Sequence, residues 1–219
     1  RNSTRGEPEF ISIEDAESIL DQIRNTPPDL GIDLLLHTPG GLVLPAEQIA
    51  MALGDHKAKV TVIIPHYAMS GGTLIALAAD EILMDVHSVL GPLDPQVEGI
   101  SAPTLLNVVR KKGIQYVGDD IFIASEVAKR ALSQMNGFIQ ALLKPKMGLP
   151  KAKKVAYFLT GGYLNHDSPI TFQQAKQLGL PVKVGISRTV YELLRLYRFS
   201  KSLRPSLFSV PCPCLSRKR

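Results

Sequence analysis

Two apolar runs that each lead to a glycine motif constrain this chain more than any other feature. Ile32–Leu36 is followed by His37-Thr38-Pro39-Gly40-Gly41, and Lys59–Ile64 is followed by Pro65 and then by Ser70-Gly71-Gly72-Thr73. Short β-branched runs of this kind predict buried strands. Gly41 and Ser70 are 29 residues apart, a separation that fits one strand-helix-strand unit. Because parallel strands end at the same edge of a sheet, the two glycine motifs are expected to lie side by side.

The remaining periodicity continues this alternation of helices and strands. Residues 97–118 show no clear period. We expect helices over residues 12–24, 45–53, 70–78, 121–143, 152–159 and 171–179, and further short strands over 82–84 and 181–184. The pattern predicts an α/β fold built on a parallel sheet.

Charge is distributed unevenly along the chain. The net charge is +5, but residues 183–219 carry nine Lys or Arg and one Glu, which leaves about −3 for residues 1–182. The basic character therefore belongs to the C-terminal part and argues against a nucleic-acid partner. We predict a loose segment over 1–12, a folded domain over 13–197 and a basic, disordered tail over 198–219.

Cofactor and membrane signals are absent from the printed sequence. The two cysteines, Cys212 and Cys214, provide neither a four-sulfur metal site nor a disulfide framework. The histidines lack metal-site spacing and there is no G-x-G-x-x-G motif, so we expect no metal and no cofactor. No run of 18 apolar residues and no signal peptide is visible. A membrane segment in a longer parent protein stays possible.

Ser70 is the candidate nucleophile. At a strand-to-helix junction its Oγ lies at the rim of the sheet, beside the free N–H groups and the positive end of the helix. The N–H of Gly71, with that of Gly40 or Gly41, can form a two-donor oxyanion hole. The alternative is a plain N-cap serine, which is common at such junctions.

Four separated blocks resemble the serine dehydrogenase proteinase family of ClpP-type proteases, which is related to signal peptide peptidase A. They are His37–Gly41, Pro65–Thr73 with the helix that follows it, Leu90–Gln96, and His166-Asp167 with Pro169–Thr171 before the helix ending at Leu180. The resemblance covers about residues 10–197. It implies a ClpP/crotonase-like superhelix of repeated β-β-α and βαβ units, and cleavage of peptide bonds through an acyl-enzyme at Ser70.

The residue that would take the proton of Ser70 is not settled by this resemblance. ClpP uses a histidine about 25 residues after the serine, where this chain has Asp94-Pro95. Related membrane-bound archaeal proteases use a lysine about 41 residues after the serine, which here is Lys111. A lysine base must be desolvated to be neutral, and Lys111 can equally be part of a solvated helix end. Lys129 is a lesser candidate.

His166 and Asp167 are the other candidates for catalytic residues. Asp167 falls where the ClpP resemblance places the aspartate of the triad, and His166 can supply the imidazole itself. The pair can instead cap the next helix or join subunits. His87 is a further candidate, whereas His37 and His66 are expected to be structural.

Three other functions remain open. An α/β-hydrolase esterase would need a histidine after its acid, an order that this chain lacks. A crotonase-like acyl-CoA enzyme would need a CoA site, which nothing marks. A non-catalytic scaffold fits an incomplete triad. The family resemblance also implies a homo-oligomer acting on peptides or proteins, either membrane-associated or cytoplasmic.

Overall fold

The computed structural model describes residues 10–198 and 207–209. Eight helices lie in these residues: α1 Ile13–Asn25, α2 Val43–Gly54, α3 Gly71–Ala78, α4 Ala102–Lys112, α5 Asp119–Met147, α6 Leu149–Thr160, α7 Phe172–Leu178 and α8 Arg188–Arg198. The strands are β1 Ile32–Leu36, β2 Val60–Ile64, β3 Tyr67–Ala68, β4 Glu81–Met84, β5 Val89–Leu90, β6 Gln96–Val97, β7 Ile100–Ser101, β8 Ile170–Thr171, β9 Val182–Val184 and β10 Leu207–Ser209. A 3₁₀ turn spans Ile114–Tyr116.

The main sheet has the strand order β10-β1-β2-β4-β9. β1, β2, β4 and β9 are parallel, and β10 pairs with β1 in the antiparallel direction. α2 connects β1 to β2, and α3 connects β2 to β4. The expected parallel α/β sheet is thereby confirmed. The strands of this sheet are mostly apolar because helices cover both of its faces.

A small second sheet continues from the carboxyl end of the main sheet. β5 lies in its centre, parallel to β3 and antiparallel to β8. Ala68 pairs with Leu90, and Leu90 pairs with Ile170. The small sheet therefore fixes the relative positions of three separate segments of the chain: β3, which precedes Ser70, β5, which precedes Gly91, and β8, which follows His166.

The core lies between the main sheet and the helices above it. Every residue of α3 is buried. The long α5 packs on α3 and α6 and contributes Met135, Ile139 and Leu143 to the same core. α3 is thus enclosed along its whole length, and its N-terminus points to the carboxyl edge of the sheet.

The structure differs from the expectation in three places. Residues 97–118 form the β6–β7 hairpin and α4, and α8 is a helix that the sequence pattern does not predict. α8 packs Leu194, with Val190 and Leu193, against Leu35 of the sheet. Residues 207–209, expected in a disordered tail, form β10. Residues 1–9, 199–206 and 210–219, which contain both cysteines and most of the predicted loose N-terminal segment, lie outside the described residues.

Two features are absent from the described part of the chain. No helix there combines the length and apolar character that a membrane span requires. No group of three His, Cys, Asp or Glu side chains in residues 10–198 and 207–209 is arranged to hold a metal ion.

Candidate functional site

Ser70 lies between β3 and α3 with an uncommon backbone conformation. Its φ is 48° and its ψ is −120°, a region that residues other than glycine rarely occupy. A serine that caps a helix has extended dihedrals and binds the N–H groups of the first turn. Ser70 has neither feature, because its side chain makes no capping hydrogen bond. The plain N-cap interpretation is therefore wrong, and the half-buried hydroxyl is held in a strained turn of the kind found at functional sites.

Gly40 lies directly against Ser70. Thr38 forms a bridge with Ala68, and Met69 N–H donates to Thr38 O at 3.0 Å. A Cβ atom on Gly40 would lie 2.8 Å from Ser70 Cβ, and Gly40 has a φ of 109°. Only glycine fits here, because a side chain would both strain the backbone and displace the serine.

The N–H groups of Gly41 and Gly71 are the available donors of this corner. The N–H of Gly40 is occupied, because it donates to Thr38 Oγ1 at 3.1 Å. A Cβ on Gly71 would lie 3.6 Å from Gly41 N, so the two glycines face each other. Neither N–H has an acceptor among the described residues. Two N–H groups of this kind can both donate to one oxygen atom that lies between them.

Thr73 fastens the ends of β3 and β5 together behind Ser70. Its fully buried Oγ1 lies 2.8 Å from Ala68 O and 3.0 Å from Gly91 O, and it accepts a hydrogen bond from Gly91 N–H at 2.8 Å. The single hydroxyl thereby fixes the position of the Gly91 segment relative to Ser70.

Asp94 and His166 form a partly buried pair. His166 Nδ1 lies 2.8 Å from Asp94 Oδ1, and the side chains are 30% and 1% exposed. The hydrogen bond to the Asp94 carboxylate raises the pKa of His166 above 6.5, against the opposing effect of its own burial. Gln96 Nε2 donates to Asp94 Oδ2 at 2.8 Å and so satisfies the second carboxylate oxygen.

The strand directions explain how residues 72 positions apart come to the same end of the small sheet. β5 and β8 are antiparallel, with Leu90 opposite Ile170. Asp94 follows β5 and His166 precedes β8, so both lie at the end of the sheet where β5 ends. β3 is parallel to β5, so Ser70, which follows β3, lies at the same end. Ser70 Oγ makes no hydrogen bond with either side chain among the described residues.

The other predicted proton acceptors lie elsewhere. Asp167 is exposed, and the partner of His166 is Asp94 instead. Lys111 is exposed in the last turn of α4, Lys129 is exposed on α5, and His87 is exposed after β4. Each of these four side chains is open to solvent.

Lys146 has a partly buried ammonium group that the sequence does not reveal. Its Nζ donates to Leu77 O at 2.8 Å and to Ala79 O at 2.6 Å, at the C-terminal end of α3. Burial of this group lowers the pKa of Lys146 from 10.5 to about 8, although the residue as a whole is exposed. Ser70 is at the opposite end of this helix, so Lys146 satisfies the terminal carbonyl groups rather than activating the serine.

His37 and His66 belong to an aromatic cluster below α8. The rings of His37 and His66 are 5.4 Å apart, and His37 lies 4.3 Å from Tyr67. Tyr191 lies 6.0 Å from His66 and donates to Asp85 Oδ2 at 2.9 Å. The cluster joins α8 to the carboxyl ends of β1, β2 and β4.

Asp94 is the site residue that sequence reasoning does not include. The sequence alone assigns no role to it, because its partner His166 lies 72 positions further along the chain and no local motif connects the two.

Comparison with solved structures identifies the fold. A mutant form of the 1510-N membrane-bound stomatin-specific protease superposes with a TM-score of 0.54 at 19% identity, over 85% of this chain and 79% of that one. ClpP1 of Listeria monocytogenes superposes with a TM-score of 0.54 at 16% identity, over 82% of this chain and 89% of that one. At these identities the likeness shows the fold alone.

Sequence comparison identifies the family. Two proteins of Methanocaldococcus jannaschii, both described as uncharacterized, are 52% and 50% identical over 204 residues, which is 93% of this chain and 70% and 71% of theirs. The profile of the ClpP-like SDH-type serine proteinases matches residues 7–219, so the similarity continues past residue 197, where the resemblance was expected to end. The chain belongs to the family of ClpP-like SDH-type serine proteinases.

Proposed function

We propose that this chain is a serine peptidase in which Ser70 attacks the peptide carbonyl and His166, oriented by Asp94, takes the serine proton. The observation that carries the proposal is the Asp94–His166 hydrogen bond at the same edge of the small sheet as Ser70. The strained conformation of Ser70 and its contact with Gly40 support the role of the nucleophile.

The roles follow from the hydrogen-bonding capacity of each group. Asp94 accepts a hydrogen bond from the Nδ1–H group of His166, which leaves the lone pair of Nε2 to receive the proton of Ser70 Oγ. The oxygen of the tetrahedral intermediate would lie between the N–H groups of Gly41 and Gly71, with Gly40 keeping the corner open. His166 then gives its proton to the departing amine, and water attacks the acyl-Ser70 ester in the second half of the reaction.

A fluorophosphonate probe tests the nucleophile directly. The expected result is covalent labelling at Ser70, seen by peptide mass spectrometry, with complete loss in Ser70→Ala. Ser187→Ala is the matched control, because Ser187 is exposed and its side chain takes no part in the hydrogen bonds described around Ser70. Hydrolysis of a casein or thioester substrate should fall in parallel. A Ser70→Ala protein that keeps full hydrolytic activity would reject the peptidase proposal in favour of a non-catalytic scaffold.

We also infer that the chain forms a homo-oligomer. Large apolar side chains are exposed together on α4, the turn after it and the start of α5: Val108, Ile114, Tyr116, Ile123 and Val127. An apolar surface of this kind is typical of protein–protein contacts. Light scattering coupled to size exclusion tests this point: Ile123→Glu should lower the mass if this surface joins copies of the chain.

The cellular location stays a prediction. The description "membrane-bound" belongs to the stomatin-specific protease. Fractionation of cells that express the full parent protein, with or without high-salt washing, separates membrane association from a cytoplasmic location.

A further inference from the structure

A cavity separate from the Ser70 corner lies between α2 and α5. Its volume is about 480 Å³, within the range of small-ligand sites. Its lining consists of Glu47 from α2 and Arg130, Ser133, Gln134, Gly137 and Phe138 from α5. None of the residues assigned above to peptide cleavage lines it.

Glu47 is an acid without full hydrogen bonding in this cavity. The residue is only 9% exposed, and its Oε1 has no hydrogen-bond partner among the described residues. Burial raises the pKa of the Glu47 carboxyl, against the opposing effect of a hydrogen bond with the Gln134 side chain. A buried carboxyl oxygen without a donor is costly, so the site gains most from a ligand that brings a donor to it.

Arg130 gives the cavity a charge of the opposite sign. Arg130 is exposed on α5, four residues before Gln134. No ion pair joins it to Glu47 among the described residues. The two charges thus line one space without neutralising each other directly. Ser133 and Gln134 add neutral hydrogen-bonding groups, and Phe138 adds an apolar wall.

Gly137 keeps the cavity open. A Cβ atom at this position would meet nothing within 4 Å, although glycine inside a helix costs about 1 kcal/mol relative to alanine. The helix therefore carries an unfavourable residue where a side chain would enter the cavity.

From these observations we propose that the cavity binds a zwitterion of the α-amino acid class, with its ammonium group on Glu47 and its carboxylate on Arg130. A neutral ligand with separated charges matches a wall that carries one acid and one base, whereas a simple anion or cation satisfies one group and is repelled by the other. The backbone of an amino acid fits this volume, and Phe138 can contact an apolar side chain. This proposal does not depend on the peptidase activity.

Calorimetric titration of the full chain with L-leucine tests the proposal. N-acetyl-L-leucine lacks the ammonium charge, and L-leucinamide lacks the carboxylate, so each removes one of the two contacts. The expected result is saturable binding of L-leucine with at least tenfold weaker binding of both analogues, since a hydrogen bond to a charged group is worth about this factor or more. Ser70→Ala should bind L-leucine as the wild type does.

Three variants locate the site. Glu47→Gln and Arg130→Gln should each weaken L-leucine binding at least tenfold. Gly137→Met should block it by filling the cavity, while Gly137→Ala, the matched control, should stay folded and retain more binding than Gly137→Met. Thermal unfolding of each variant checks that the fold is kept.

The proposal is overturned if L-leucine does not bind, or if both analogues bind as well as L-leucine does. It is also overturned if Glu47→Gln changes the oligomeric state while binding of L-leucine is undetectable, because the cavity then belongs to a contact between copies. Failure of Ser70 labelling leaves these results unaffected, so the two proposals are tested separately.

Discussion

Replacing Asp94 by Asn tests the proposed proton pathway most sharply. Asp94 Oδ2 accepts from Gln96 Nε2, and Asp94 Oδ1 faces His166 Nδ1. In Asp94→Asn, the amide oxygen should keep the contact with Gln96, because only the oxygen can accept. The amide NH₂ group then faces Nδ1 and donates to it. His166 is thereby held with its proton on Nε2, the tautomer that cannot accept a proton from Ser70.

The magnitude follows from the burial of the pair. The Asp94 side chain is 1% exposed, so solvent does not replace the lost charge, and a hydrogen bond to a charged group contributes about 1.5–3 kcal/mol. That loss alone corresponds to a rate decrease of about ten- to a hundredfold. The inverted tautomer adds to it, and we expect kcat to fall about 10³- to 10⁴-fold in total, as for loss of charge on the orienting acid of a catalytic triad.

The pH profile gives an independent measurement. The base must be neutral, so kcat/KM should rise with pH through the pKa of His166, which Asp94 raises above 6.5. In Asp94→Asn the largest cause of that increase is lost, and the midpoint should move to lower pH. Rates of fluorophosphonate labelling between about pH 5 and 9 measure the loss of rate and the shift of the midpoint. Asp21→Asn is the matched control, because Asp21 is exposed on α1 and is not among the groups that raise the pKa of His166.

Two results would refute the reasoning. One is an Asp94→Asn protein that is labelled at the wild-type rate. The other is an acidic limb that persists unchanged in His166→Ala, which would assign the proton transfer to a group other than this histidine.

Three further perturbations test the supporting structure. Thr73→Val leaves the buried Gly91 N–H without its acceptor and should lower the free energy of unfolding in urea by about 1–3 kcal/mol, whereas a neutral effect would show that Thr73 does not fasten the two segments. Gly40→Ala should lower Ser70 labelling at least a hundredfold while the circular dichroism spectrum is kept, because the new Cβ overlaps Ser70 Cβ; normal labelling would contradict the close contact. Lys146 has a pKa of about 8 in the folded chain and 10.5 when unfolded, so the unfolded chain binds more protons between these values and stability should rise with pH there. Since Lys146 is partly exposed, the rise relative to Lys146→Met should be reduced by screening to about 1 kcal/mol, and parallel curves for the two proteins would contradict the assigned pKa.

The contact between Ser70 and Gly40 could be predicted from the sequence, because it depends on motifs that are short and local. Glycines after apolar runs mark strand ends, and a separation of one βαβ unit brings two such ends together. The position of Ser70 beside Gly40 follows from these facts. What the sequence could not give was the φ of 48° at Ser70, because this conformation is imposed by the surrounding packing.

The Asp94–His166 pair could not be predicted because it depends on strands of two residues. β5 and β8 are too short to show a period, yet their pairing sets the register of everything that follows them. Asp167 is a candidate only because the ClpP resemblance implies an aspartate at that position. In the structure His166 and Asp167 lie in a turn closed by the hydrogen bond from Ser168 N–H to Asn165 O at 2.8 Å, and Asp167 is exposed.

α8 is not predicted because its segment is rich in basic residues. Its apolar residues Val190, Leu193 and Leu194 recur at helical spacing. Arginines stand around them and a basic segment follows, so the apolar spacing is hard to recognise in the sequence. In the structure Arg188 and Arg195 are exposed, and the apolar residues pack on Leu35. A local period is present, and the net charge of the segment obscures it.

Asp94 and His166 come from two segments that are connected through the short β5–β8 pairing, and this has a consequence for sequence variation. The pairing contains two residues on each strand, so the lengths of the segments from Leu90 to Asp94 and from His166 to Ile170 determine whether the carboxylate reaches the imidazole. A substitution within either segment can keep the hydrogen bond, whereas an insertion or deletion there would separate the two side chains.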